Sequence, residues 1–263
     1  QFPDGFGPLA LKTLEGLQMF SREDTSIVLR EFLEAHPEFA GASIVPLGEP
    51  KDGSSIQNYY AIDAAQELGL VSRTLTAALG ASGPIIFIDD IIGRGSSSIS
   101  IFESMCGTKP SEDLGEHREP PLAPASIDQL KQRPIAVVVT AGFNEGIENV
   151  RNKLKEIGLN ATVYCRLRGI DLPTIQSVLR DQDPSEVTAF QEELRRIGQA
   201  ILDDGDAKHD EEWRTQRALG YGNLGVLALS SYNTPTLCLT ALWCAGSVDG
   251  LDWRPLLPRR KKV

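Results

Sequence analysis

The sequence lacks what would place the chain in a membrane, around a metal or in an oxidising compartment. No apolar run approaches the length of a membrane span, and no secretory leader is legible at the start. Its four cysteines, Cys106, Cys165, Cys238 and Cys244, form no CxxC pair, and its three histidines are scattered, so neither a zinc site nor a disulfide framework is indicated. Reduced thiols and a cytoplasmic location are expected. Basic charge is also scarce: 26 Lys and Arg stand against 36 Asp and Glu, a net charge of -10. That balance argues against a general nucleic-acid or anionic-membrane surface and favours a small-molecule ligand. The chain opens with Gln1 rather than Met, which leaves room for residues ahead of it.

What is present is an ordinary globular composition over 263 residues, ample for a sizeable core. The most informative stretch runs from Pro84 to Ser98. Ile85-Ile86-Phe87-Ile88 reads as a strand covered on both faces, Asp89-Asp90 ends it, and Ile91-Ile92-Gly93-Arg94-Gly95-Ser96-Ser97-Ser98 turns into a helix carrying Ile99, Phe102 and Met105 at helical spacing. The polar residues therefore fall at a strand's carboxyl end, where open α/β sheets bind ligands. Gly93 and Gly95 permit a tight turn, the serines offer hydroxyls, and a helix N-terminus offers unpaired amides, a combination that suits a phosphate. A nucleotide P-loop would need Lys after the last Gly, and a Rossmann turn would need a third Gly and no acids. A plainer alternative is that Asp90 and the serines only cap the helix.

Two carboxylates beside a phosphate cradle repel it unless they face hydroxyls or a divalent cation. The order of apolar strand, Asp-Asp, two apolar residues, Gly/Ser loop and helix resembles the ribose-phosphate motif of the type I phosphoribosyltransferases. That resemblance implies that Asp89 and Asp90 hold the ribose hydroxyls and Mg²⁺, and that Gly93, Arg94, Gly95, Ser96 and Ser97 wrap a 5′-phosphate. Arg94 departs from the small hydroxyl residue usual there, and Ser96 from a frequent Gly. The same resemblance asks for a pyrophosphate loop after an earlier strand. Lys51-Asp52-Gly53-Ser54, following Ala42-Ser43-Ile44-Val45, is placed for that, with Lys51 stabilising the leaving group; an ordinary solvated turn is the alternative.

Near the end, Tyr232-Asn233-Thr234-Pro235 leads to Leu242-Trp243. This looks like the phosphoribosyltransferase-like effector family of bacterial conflict and antiphage systems, in islands from about Gly48 to Trp243. Thr236 stands where that family tends to have a second Asn. The likeness implies a base-facing hood of Tyr232, Asn233 and Thr234 and a protein partner within a defence operon. Trp243 also suits a plain core position.

Elsewhere the patterns read as scaffold. Leu11, Leu14, Leu17 and Phe20 suggest one amphipathic helix, and Ile27, Leu29, Phe32 and Leu33 a second with Asp24 as its cap. Ile56 to Leu79 is helical, with a break at Gly69; Gly107 to Arg133, with four prolines, reads as a flexible insertion holding one short helix. Ile135 to Val139 and Ala161 to Leu167 read as strands, the latter leaving Arg166 and Arg168 at its exit for a phosphate or a base, or for a surface ion pair. Asp183-Pro184-Ser185-Glu186 starts a helix striped by Val187, Phe190, Leu194, Ile197 and Ile201. The expectation is an α/β fold, a doubly wound, mainly parallel sheet of about five strands with helical N-terminal and C-terminal hood additions, forming one domain over residues 1–257 and a basic tail over 258–263. Its expected activity is pentosyl transfer from phosphoribosyl pyrophosphate with Mg²⁺ to or from a base or nucleotide. The alternatives are a non-catalytic nucleotide sensor and a nucleotide glycosidase.

Overall fold

The computed structural model describes residues 5–48, 53–109, 121–205, 210–231 and 234–258. These divide into two compact units within the span expected as one domain: one runs from Ser21 to Gly169, and the other joins the chain ahead of Ser21 to the chain after Gly169.

The described chain starts with α1 (Gly7–Glu15) and β1 (Gln18–Phe20). The expected helical stripe from Leu11 to Phe20 is broken at Gly16, which caps α1 and passes so near Val178 that a Cβ would lie 2.5 Å from one of its methyls. Gln18–Phe20 become a strand instead, and Leu11 is left 59% exposed.

In the unit from Ser21 to Gly169, α2 (Arg22–Ala35) begins with Ser21 at the N-cap. Asp24, the expected cap, sits one turn in and accepts from Ser21 N at 2.9 Å. Then come β2 (Ser43–Pro46), α3 (Gly53–Glu67), β3 (Val71–Ser72), α4 (Leu75–Gly80), β4 (Ile85–Ile92), α5 (Ser96–Cys106), α6 (Pro124–Lys131), β5 (Ile135–Gly142), α7 (Asn144–Glu156) and β6 (Ala161–Arg168). The helix expected from Ile56 to Leu79 is split where Gly69 takes a left-handed φ of 70°, which admits β3 as an edge strand. Of the proline-rich insertion, residues 110–120 lie outside the described residues, while Leu130 of α6 is fully buried in the core.

The five strands are parallel in the order β3-β2-β4-β5-β6, the doubly wound sheet expected from the sequence. Alternation along β4 builds a core on each face. Ile85 and Phe87 join Val45, Val137, Phe102 and Val150 on one side; Ile86 and Ile88 join Phe32, Ile44, Ala61 and Val138 on the other. Each such side chain contributes about 1.5 to 3 kcal/mol on leaving water, so β4 has little freedom to slip in register. Chain order reverses between β2 and β4, and the crevice outside the carboxyl ends at such a point is the ligand position of open α/β sheets.

The second unit continues with α8 (Ile175–Val178), α9 (Pro184–Gly205), α10 (Glu211–Thr215), β7 (Ala228–Ser230), α11 (Thr240–Trp243), β8 (Gly246–Val248) and β9 (Leu251–Trp253). Helix α9 starts as the sequence predicts. The Ser185 hydroxyl, Ser185 N at 2.8 Å and Glu186 N at 3.3 Å all donate to Asp183 Oδ1, and these bonds hold its carboxyl below the usual range. Phe190, Leu194, Ile197 and Ile201 are buried against Leu9, Leu239 and Trp253. Strand β1 pairs in parallel with β7, and β8 with β9 forms a hairpin across Asp249-Gly250. Among the described residues no helix is long and apolar enough to cross a membrane.

Candidate phosphate site at the sheet's switch point

Strand β4 carries the two acids within its ladder. Asp89 pairs with Val139 and Ile91 with Ala141 of β5, so the strand outlasts its fully buried portion. Burial drops at Asp89, Asp90 and Ile91, which are half-exposed. Asp90 N donates to Asp89 Oδ1 at 2.9 Å and Ile91 N to Asp90 Oδ1 at 2.7 Å, fixing one oxygen of each carboxylate against the backbone. Ile92 then returns to the core that holds Ile85 and Phe87, so strict alternation does not carry through the acids.

The loop follows at once. Ile92 O accepts from Phe143 N at 3.0 Å, which keeps the exit of β4 beside the exit of β5. Gly95 is the N-cap of α5 in the left-handed conformation, φ 81°, and lacks a side-chain cap bond to the first turn. A Cβ there would lie 2.6 Å from Val150 Cγ2 and 2.7 Å from Gly146 O, so only glycine fits. Ile99 N donates to Gly95 O at 2.8 Å, placing the amides of Ser96, Ser97 and Ser98 ahead of the first intrahelical bond. Ser96 and Ser97 are exposed, as is Arg94, whereas Ser98 is buried. Asp89, Asp90, Gly93, Arg94, Gly95, Ser96 and Ser97 thus follow one another along a single strand-to-helix turn.

The neighbouring strand feeds the same edge. Pro46 pairs with Ile88, and Leu47 N donates to Ile88 O at 3.0 Å, so the chain leaving β2 starts out next to Asp89. Lys51 and Asp52 lie outside the described residues. Gly53 and Ser54 open α3 rather than belonging to a loop. Tyr232 and Asn233 also lie outside the described residues; Thr234 belongs to the other unit, where it is buried and its hydroxyl donates to Leu257 O at 3.2 Å. Arg166 faces Asp24 and Glu31 at 3.4 and 3.3 Å, which answers its role as an ion pair, and Arg168 donates to Asn144 Oδ1 at 3.3 Å. Trp243 packs against its unit's core and donates from Nε1 to Cys238 O at 3.0 Å.

Sequence reasoning missed a buried polar pair beside the acids. Gln57 of α3 donates from Nε2 to Thr140 Oγ1 of β5, and both residues are buried. The only trace in the sequence is Thr140 at the end of an otherwise apolar run, and nothing local connects it with Gln57. Two half-exposed carboxylates, a backbone-lined turn and a helix N-terminus provide acceptors for hydroxyls or a cation on one side and donors for an anion on the other.

A family model described as PRTase-CE matches residues 1–259 of the chain. No curated protein matches it.

Proposed function

Because the chain belongs to the PRTase-CE family, a phosphoribosyltransferase-like family, we propose that its switch-point site binds a ribose 5-phosphate compound, phosphoribosyl pyrophosphate above all. Its pentosyl group then passes to or from a base or nucleotide. The single observation behind this is the unbroken run from Asp89 to Ser97, in which two carboxylates and the amides of a helix N-terminus share one strand-to-helix turn. In this reading the amides of Gly95 to Ser97 take the 5′-phosphate, and Asp89 and Asp90 orient the ribose through its hydroxyls. Lys51, on the segment after β2, offsets the charge of the departing pyrophosphate as positive charge develops on the ring.

A cation fits this donor set. Among the described residues no three His, Cys, Asp or Glu side chains are grouped to hold a metal by themselves. Mg²⁺, however, is commonly bound by one or two carboxylates together with substrate phosphates and water, which is what Asp89 and Asp90 offer. When bound it would stabilise charge on the pyrophosphate. A defence role and an operon partner belong to this proposal through the family likeness alone.

The test is a titration of isotope-labelled protein with inorganic phosphate, ribose 5-phosphate and phosphoribosyl pyrophosphate with Mg²⁺. Shifts are expected in the amide signals of Gly93 to Ser98. Pyrophosphate release with a panel of bases and nucleotides would establish transfer. Free base without pyrophosphate would make the protein a glycosidase, and binding without turnover a sensor. No shift at millimolar ligand would end the phosphate-site reading.

A further inference from the structure

One stripe of α7 meets the phosphate loop residue by residue. Gly146 lies so close to Gly93 that a Cβ on Gly146 would fall 1.9 Å from Gly93 O. Asn149, one turn on, donates from Nδ2 to Arg94 O at 3.3 Å. Val150 fills the space beside Gly95, its Cγ2 being 2.6 Å from where a Gly95 Cβ would stand. Positions 146, 149 and 150 share a helix face by the three-four spacing. Helix α7 has its own hold on the sheet through Ile147, Val150 and Leu154, which are fully or almost fully buried.

The direction of these contacts matters more than their number. Gly93 O and Arg94 O both face α7, and the chain has no cis peptide among its described residues. In a planar trans peptide the N–H points opposite to the C=O, so the amides of Arg94 and Gly95 are turned away from α7. Holding two successive carbonyls on the helix therefore turns two successive amides off it, next to the first-turn amides of α5. A short concavity of amides is an anion-binding shape, and a glycine-rich turn adopts it only at an entropic cost unless something holds it.

Resting on the phosphate-site reading above, we infer that the Gly146-Asn149-Val150 stripe is the seat that keeps the loop in its anion-binding shape. Asn149 and Gly146 act in it as positioning residues. Neither touches the ligand. Both act through the carbonyls of Gly93 and Arg94. Asn149 is itself exposed, so its removal should alter the loop without disturbing the core.

The experiment compares wild type with Asn149→Ala, Asn149→Asp and Gly146→Ala, using ribose 5-phosphate as the probe in calorimetric titration, amide exchange of Arg94 to Ser97 without ligand, and thermal melting. Asn149→Ala is expected to weaken binding about two- to tenfold, the range for one lost hydrogen bond, with an unchanged melting temperature and faster loop exchange. Asn149→Asp should weaken it further, since a carboxylate then opposes the Arg94 carbonyl. Gly146→Ala should displace the loop; should that variant not fold, the two Asn149 variants still decide. Wild-type affinity and wild-type exchange in Asn149→Ala would overturn the seat while leaving the phosphate site standing. Failure of wild type itself to bind ribose 5-phosphate would remove both.

Discussion

Gln57 Nε2 donates to Thr140 Oγ1 across 3.2 Å, tying α3 to the strand beside the two acids. Thr140 lies between Val139 and Ala141, the partners of Asp89 and Ile91, so the pair sits directly alongside Asp90. Replacing the hydroxyl with a methyl keeps the volume and removes one hydrogen bond from a buried amide. Thr140→Val should therefore lower unfolding free energy by about 1 to 3 kcal/mol, and Thr140→Ser by much less. Urea unfolding measures both; equal midpoints for Val and wild type would show the bond contributes nothing.

For the acids, Asp89→Asn with Asp90→Asn keeps size and the local hydrogen bonds to carbonyl-type oxygens while removing charge. The half-exposed position of both predicts a folded protein with an unchanged melting temperature. Ribose 5-phosphate affinity should fall about tenfold or more, the scale of a charge-assisted hydrogen bond. A calorimetric titration giving the wild-type constant would exclude the acids from the site.

How much of this was open to sequence reasoning depends on how far apart the interacting residues lie. Strand β4, its acids and the following turn could be read because each signal is local: consecutive β-branched residues, a change to carboxylates, then glycine and serine. The five-stranded parallel sheet follows from repetition of that local pattern. By contrast, Gly146 and Asn149 look like ordinary residues of a charged helix until the fold sets them against Gly93 and Arg94. Strand β1 is hidden for the same reason: three residues have no period of their own, and their ladder comes from β7 near the other end of the chain. The β8–β9 hairpin did have a local signal in Asp249-Gly250, both at positive φ, but its flanking strands are too short for alternation to register.

Arg94 departs from the resemblance, and the structure suggests which part of it matters. Its carbonyl is bound to α7 while its side chain is exposed, so backbone amides rather than the guanidinium should meet a phosphate. Arg94→Ala is expected to change ribose 5-phosphate affinity by less than about threefold, against roughly tenfold for a lost charge-assisted contact. A tenfold loss would assign the side chain to the ligand, and a gain would mark it as an obstruction.

The cysteines should separate by reactivity. Cys238 is fully buried, and burial pushes its thiol up from about 9 to about 12, whereas Cys244 is half-exposed. Only the thiolate alkylates, so at pH 8 iodoacetamide should modify Cys244 in the native protein and Cys238 only after unfolding. Because the folded-state value of Cys238 is raised, its unfolded form loses a proton first as pH climbs. Stability should accordingly fall between pH 9 and 12, with the Cys238→Ala variant showing a shallower decline. Prompt native labelling of Cys238, read by peptide mass, would contradict its burial.

Two glycine-to-alanine changes should have opposite signs. Gly198 lies inside α9 where the helix crosses the chain at Ala218, and a Cβ would stand 1.9 Å from Ala218 O. Alanine gains about 1 kcal/mol of helix propensity, but backbone cannot yield as a flexible side chain would, and overpacking costs about 1 to 3 kcal/mol or more. The clash wins, so Gly198→Ala should destabilise. Gly80 closes α4 with nothing within 4 Å of its Cβ position and no positive φ. There the propensity gain is unopposed apart from its place at the helix end, so Gly80→Ala should be neutral or stabilising by up to about 1 kcal/mol. Chemical denaturation of the two variants side by side decides the matter: if Gly198→Ala is as stable as Gly80→Ala, the close approach of α9 to Ala218 is wrong.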